Sequence, residues 1–118
     1  MIDLLAKAQA KGTDAEFRAW VQRQPSCLSG RYSEWLESGE GRNPACHVRR
    51  AASSGTGFKA SYSCIPMTQL EHHLQHQHGE VGVLERFVPK IGGWTVEEAK
   101  DWFDRKVIEY RRVWVERN

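Results

Sequence analysis

The chain has 118 residues, 40% of them hydrophobic with five tryptophans, and a net charge of +2, which suits one folded domain and excludes a disordered or strongly polyionic chain. No apolar run approaches membrane-spanning length, and Met1-Ile2-Asp3-Leu4-Leu5 lacks the basic lead and long apolar stretch of a signal peptide, so a cytoplasmic protein with no membrane partner is expected. The cysteines, Cys27, Cys46 and Cys64, are odd in number and form no CxxC pair, which argues against a disulfide framework and for buried thiols in a reducing compartment.

The first predicted element is a short helix from Ile2 to Ala10, stopped by Gly12. Three later sites carry one helix-start signature, a threonine with a glutamate three residues on. Thr13 with Glu16 opens a helix to about Gln24, with Phe17, Trp20 and Val21 as its apolar stripe and Pro25 as its end. Turn-rich clusters follow at Ser29-Gly30, Ser38-Gly39-Glu40-Gly41 and Ser53-Ser54-Gly55-Thr56-Gly57, bracketing two candidate strands at Cys46–Arg49 and Tyr62–Ile65. Thr68 with Glu71 opens a histidine-dense helix that Gly79 can terminate. Thr95 with Glu98 opens the longest helix, to about Glu116, in which Val96, Ala99, Trp102, Phe103, Val107, Tyr110, Val113 and Trp114 recur at helical spacing. Arg111, Arg112 and Arg117 near its end suit the helix dipole. The fold class expected is α+β.

Charge is unevenly spread. From Gly41 to Leu70 there is no acid, while Arg42, Arg49, Arg50 and Lys59 are basic, a distribution that suits a polyanion such as DNA or equally a solvated loop. The histidines sharpen the choice. His72 and His76 lie four apart, about 40° around the helix axis, and so can hold one divalent metal. Leu70 and Leu74 point to nearly the opposite side, toward the expected core. His73 stands at the border as a reserve ligand, and His78 projects nearer the leucines. Glu71 is assigned to capping Thr68, and Glu80 to the surface. No glutamate follows His72 as an HExxH zinc protease requires, which disfavours metalloprotease chemistry. His47, on the first strand, shares a face with Arg49; a general base beside an arginine suits phosphodiester hydrolysis, and a packed strand histidine is the plain alternative. Lys59 follows the glycine loop and can reach a backbone phosphate.

Taken together, the runs Ala45-Cys46-His47-Val48-Arg49-Arg50, Gly55-Thr56-Gly57-Phe58-Lys59, Ile65-Pro66-Met67 and His72 to Glu80 resemble the ββα-metal core of His-Me finger (HNH-type) nucleases. More narrowly they resemble the phage Ref family of RecA-dependent nucleases, over about residues 25–80. Length suits one domain over 1–118; the resemblance implies a ββα-metal core within it, and the predicted helices flank that core at 1–24 and 95–117. It implies a DNA endonuclease with His47 as general base, His72 and His76 as ligands of one divalent metal (Mg, Mn or Zn), and Arg49 and Lys59 as substrate contacts. It also implies a role in phage recombination or repair in the bacterial cytoplasm, with a recombinase filament as partner. Many members carry a histidine or acid just before the base; here Cys46 stands there as a reserve ligand, and a thiolate suits zinc better than magnesium. Two rival expectations accompany this one, an inactive DNA-binding module on the same fold and a zinc-stabilised interaction module built on Cys27, Cys46, Cys64 and histidines.

Overall fold

The computed structural model of the chain describes residues 3–33, 42–48 and 61–117. Helix α1 runs Leu4–Lys11, and the Asp3 carboxylate caps it by accepting the Leu5 N–H at 3.1 Å. Helix α2 runs Asp14–Gln22 behind a complete capping box, in which Thr13 Oγ1 accepts from Glu16 N and Glu16 accepts from Thr13 N. Gly12 between them permits a close approach, because a Cβ there would stand 3.0 Å from both Glu16 Oε1 and the Trp114 ring.

Strands β1 (Ala45–His47) and β2 (Cys64–Pro66) pair antiparallel, with Ala45 opposite Pro66, Cys46 opposite Ile65 and His47 opposite Cys64. So short a ribbon is marginal alone and needs cover on its faces. Helix α3 spans Gln69–Phe87 and α4 spans Val96–Glu116, both opened by the capping boxes expected at Thr68 and Thr95. Four helices and a two-stranded sheet, among the described residues, make a small α+β protein.

Strand alternation sorts the sheet onto two cores. One face contributes Cys46 and Ile65 to a cluster with Leu28, Met67, Val83, Leu84, Ala99, Phe103 and Val107. The other contributes Cys64, with Ala45 packed beside it, to a cluster of Ala8, Phe17, Val21, Tyr62 and Trp114. All of β2 is buried because both its faces are covered. Helix α4 serves both clusters, through Phe103 and Val107 near its middle and Trp114 near its end. Trp114 packs edge-on to Phe17 at 5.6 Å and donates its indole N–H to Ala8 O at 3.0 Å, so the ring is both buried and satisfied. Each such fully buried aromatic or aliphatic side chain contributes about 1.5–3 kcal/mol.

Several expectations shift. The strands sit one to two residues from the segments expected for them. The histidine helix does not finish at Gly79. That residue breaks it, with φ 74° and ψ −177°, but helical turns resume and carry Val83 and Leu84 into the first core. Leu70, expected in the core, is 63% exposed, and Val96 and Val113 of the α4 stripe are 71% and 45% exposed. Each lies on a helix surface that no other described element covers. Arg111 and Arg112 precede the last turn of α4, and Arg117 is its C-cap residue.

Arg111 has a different task from balancing a dipole. Its guanidinium donates to Tyr62 O at 2.6 Å, Ser63 Oγ at 2.9 Å and Ser61 O at 3.3 Å, tying α4 to the entry of β2. Tyr62 has φ +56°, unusual for a non-glycine residue. Its N–H donates to Asp14 Oδ1 at 2.7 Å, and its hydroxyl donates to Gly12 O. These bonds over-determine a backbone conformation that is costly by itself.

Candidate metal centre

The first turns of α3 are held by a buried carboxylate. Glu71 is 2% exposed; Oε1 accepts from Thr68 N at 2.9 Å and Ser26 Oγ at 2.5 Å, and Oε2 accepts from Ser29 Oγ at 2.5 Å. Its assignment as the cap holds, and the two serines add to it. The carboxylate therefore fastens the helix start to the 26–29 turn. No local motif announces the serine pair, because the partners lie 45 and 42 residues away in sequence.

One turn on, His72 Nε2 and His76 Nε2 stand 3.1 Å apart, with ring centroids 4.5 Å apart. His72 is half-buried and His76 exposed. Two ligands of one metal at about 2.0–2.1 Å would sit about 3.3–3.4 Å apart in a tetrahedral site and about 2.9 Å apart at a right angle. The separation found lies between those limits, so the pair fits one divalent ion. At the same distance one imidazole N–H donates to the bare nitrogen of the other, and a metal would take that proton's place. Burial lowers the His72 pKa, and the neighbouring charge of His76 lowers it further. Both effects favour the neutral ring that ligates metals.

The other candidates are placed as follows. His73 and His78 are exposed on α3. His47, half-buried at the end of β1, has the sheet face it shares with Ala45 and Cys64 turned toward the second cluster. Cys46 faces the opposite way into the first cluster, 3% exposed, and its thiol donates to Pro44 O at 3.5 Å. Burial raises the Cys46 pKa steeply, and likewise pushes that of Cys27 up to about 12, so neither is a ready thiolate ligand. Arg49 and Lys59 lie outside the described residues. Among the described residues no three His, Cys, Asp or Glu side chains converge as a metal-holding group, which leaves His72 and His76 as two candidate ligands.

No helix among the described residues is long and apolar enough to cross a membrane. Comparison of the chain with protein-family models, with curated proteins and with solved structures finds no match.

Proposed function

We propose that the chain is a metal-dependent DNA endonuclease of the His-Me finger type, acting in phage recombination or repair within the bacterial cytoplasm, with a recombinase filament as protein partner. The observation that carries the reading is the His72–His76 pair, whose Nε2 atoms converge at 3.1 Å on a helix face open to solvent. When bound there, Mg, Mn or Zn supplies Lewis-acid charge to the phosphate and the leaving oxygen. His47 takes the proton of the attacking water; the water oxygen bonds to phosphorus as the bond to the leaving sugar oxygen breaks. Arg49 and Lys59 offset the charge of the phosphate backbone. His72 and His76 would hold the metal, and two protein ligands would leave room there for water and substrate oxygens.

A second reading, a DNA-binding module without cleavage, draws on the strand register, which directs His47 toward the second cluster whereas α3 contributes to the first. The zinc-stabilised module finds less support, because Cys46 and Cys64 lie on opposite faces of the sheet, in different clusters.

Plasmid nicking with magnesium or manganese separates these readings. Wild type is expected to nick, and His47→Ala to lose about 10²–10⁴-fold in rate. His76→Ala should raise the metal concentration needed for cleavage. Equal cleavage by wild type and His47→Ala refutes the mechanism, and salt-sensitive binding without any cleavage by wild type establishes the second reading.

A further inference from the structure

A pocket of about 690 Å³ opens at the start of α3, with Ser29, Arg31, Tyr32, Gln69, Leu70 and Phe87 in its wall. Its size falls within the range of ligand clefts. Tyr32 and Leu70, 46% and 63% exposed, leave unusually large apolar surfaces open to water there. Three of the amides at the helix start are already paired. Thr68 N and Glu71 N are closed within the capping box, and Gln69 N donates to Ser33 Oγ at 3.0 Å. Recognition therefore falls mainly to side chains. The Tyr32 hydroxyl is already committed to Arg23 O at 3.1 Å, which fixes the ring and leaves its face as the binding surface. Exposed Arg31 brings positive charge to the same wall, whereas Glu71, the one carboxylate among the described residues of the wall, is buried and fully hydrogen-bonded.

One wall residue, Gln69, shares the histidine face of α3, whereas Leu70 lines the pocket from the other side of the helix. At about 100° per residue, Gln69 lies about 20° from His76 and about 40° from His73 around the axis. The rise from Gln69 to the middle of the His72–His76 pair is about 7.5 Å. That rise is close to about two stacked steps of one DNA strand, so a nucleotide one or two positions from a phosphate at the histidines lies level with Gln69 at the pocket wall. Bases within a duplex are stacked and cannot enter.

We infer that the pocket receives an unstacked nucleobase, its ring against Tyr32 and Phe87 and a neighbouring phosphate at Arg31, so that the substrate class is single-stranded DNA. The inference rests on the histidine face being the phosphate site of the proposed function. Stacking on one aromatic ring changes affinity about 5- to 150-fold.

The test is fluorescence anisotropy of a labelled oligo-dT and a labelled duplex, in EDTA so that cleavage plays no part. Tyr32→Ala is expected to weaken oligo-dT binding about 5- to 150-fold and to leave the duplex unchanged. Tyr32→Phe, which keeps the ring, is expected to bind as wild type, and Arg31→Gln to lower the salt slope by about one. Oligo-dT binding that is insensitive to Tyr32→Ala overturns the inference. Equal losses for oligo-dT and duplex, or a wild type that binds only duplex, overturn it as well. Tyr32-dependent binding by a wild type that never nicks DNA supports the pocket and refutes the nuclease. Nicking without Tyr32 dependence refutes the pocket alone.

Discussion

Replacing Glu71 tests whether the histidine helix is held in place by its buried carboxylate. In Glu71→Ala, Thr68 N, Ser26 Oγ and Ser29 Oγ all lose their acceptor. Three charge-assisted hydrogen bonds at about 1.5–3 kcal/mol each set the gross loss. Removing the carboxylate recovers several kcal/mol of desolvation, which leaves a net destabilisation of about 2–4 kcal/mol. A chain of 118 residues unfolds with an entropy of about 0.25 kcal/mol/K, so the melting temperature should fall by about 8–16 °C. Glu71→Gln should cost less, about 1–2 kcal/mol, because its amide oxygen can still serve Thr68 N and Ser26 while its amide nitrogen donates to Ser29 Oγ. Ser26 Oγ already accepts from Leu28 N and Ser29 N, so the substituted amide is constrained to that one orientation. Thermal unfolding followed by circular dichroism measures all three proteins. A Glu71→Ala midpoint within about 2 °C of wild type would refute the anchoring role.

Gly79→Ala introduces no clash, since nothing lies within 4 Å of the added Cβ, so its cost is the backbone conformation alone. That conformation belongs essentially to glycine, and a loss of about 1–3 kcal/mol is expected in chemical denaturation; a gain in stability would show that the helix runs straight through residue 79. Buried Cys46 and half-buried Cys27 should resist a thiol-reactive disulfide reagent at about pH 8 in the native protein and react once it is unfolded, and rapid native labelling would contradict thiols that hold their protons. The folded-state pKa of Cys27 is raised above its ordinary value of 9.0 to about 12, so the folded state holds its proton longer. Stability from this group is complete below about pH 9 and declines as pH rises toward 12; denaturant midpoints that climb over that window would contradict the assignment.

The elements most legible in the sequence are those whose signals are local. Thr13, Thr68 and Thr95 each open a helix, and the cap geometry is complete within one turn in all three cases. The histidine pair is legible for the same reason, because four residues of helix bring two side chains together without help from the rest of the fold. Leu70 departs from its expected core position because periodicity reports which residues share a face, not whether another element covers it. The helical turns after Gly79 are hidden in the sequence because a glycine that ends one helix looks the same as one that bends it.

The sequence by itself determined the α+β class, the three capping boxes, the convergence of His72 with His76 and the role of Glu71 as a cap, since each depends on bonds or spacings within a few residues. Tertiary structure alone decided the rest. It turned Cys46 into the core and set His47 on the other sheet face, gave Arg111 the carbonyls at the entry of β2, and placed Tyr32 beside Leu70 in an open pocket. Those outcomes depend on chain segments distant in sequence, and the same residue type is compatible with core, surface or site until those segments meet.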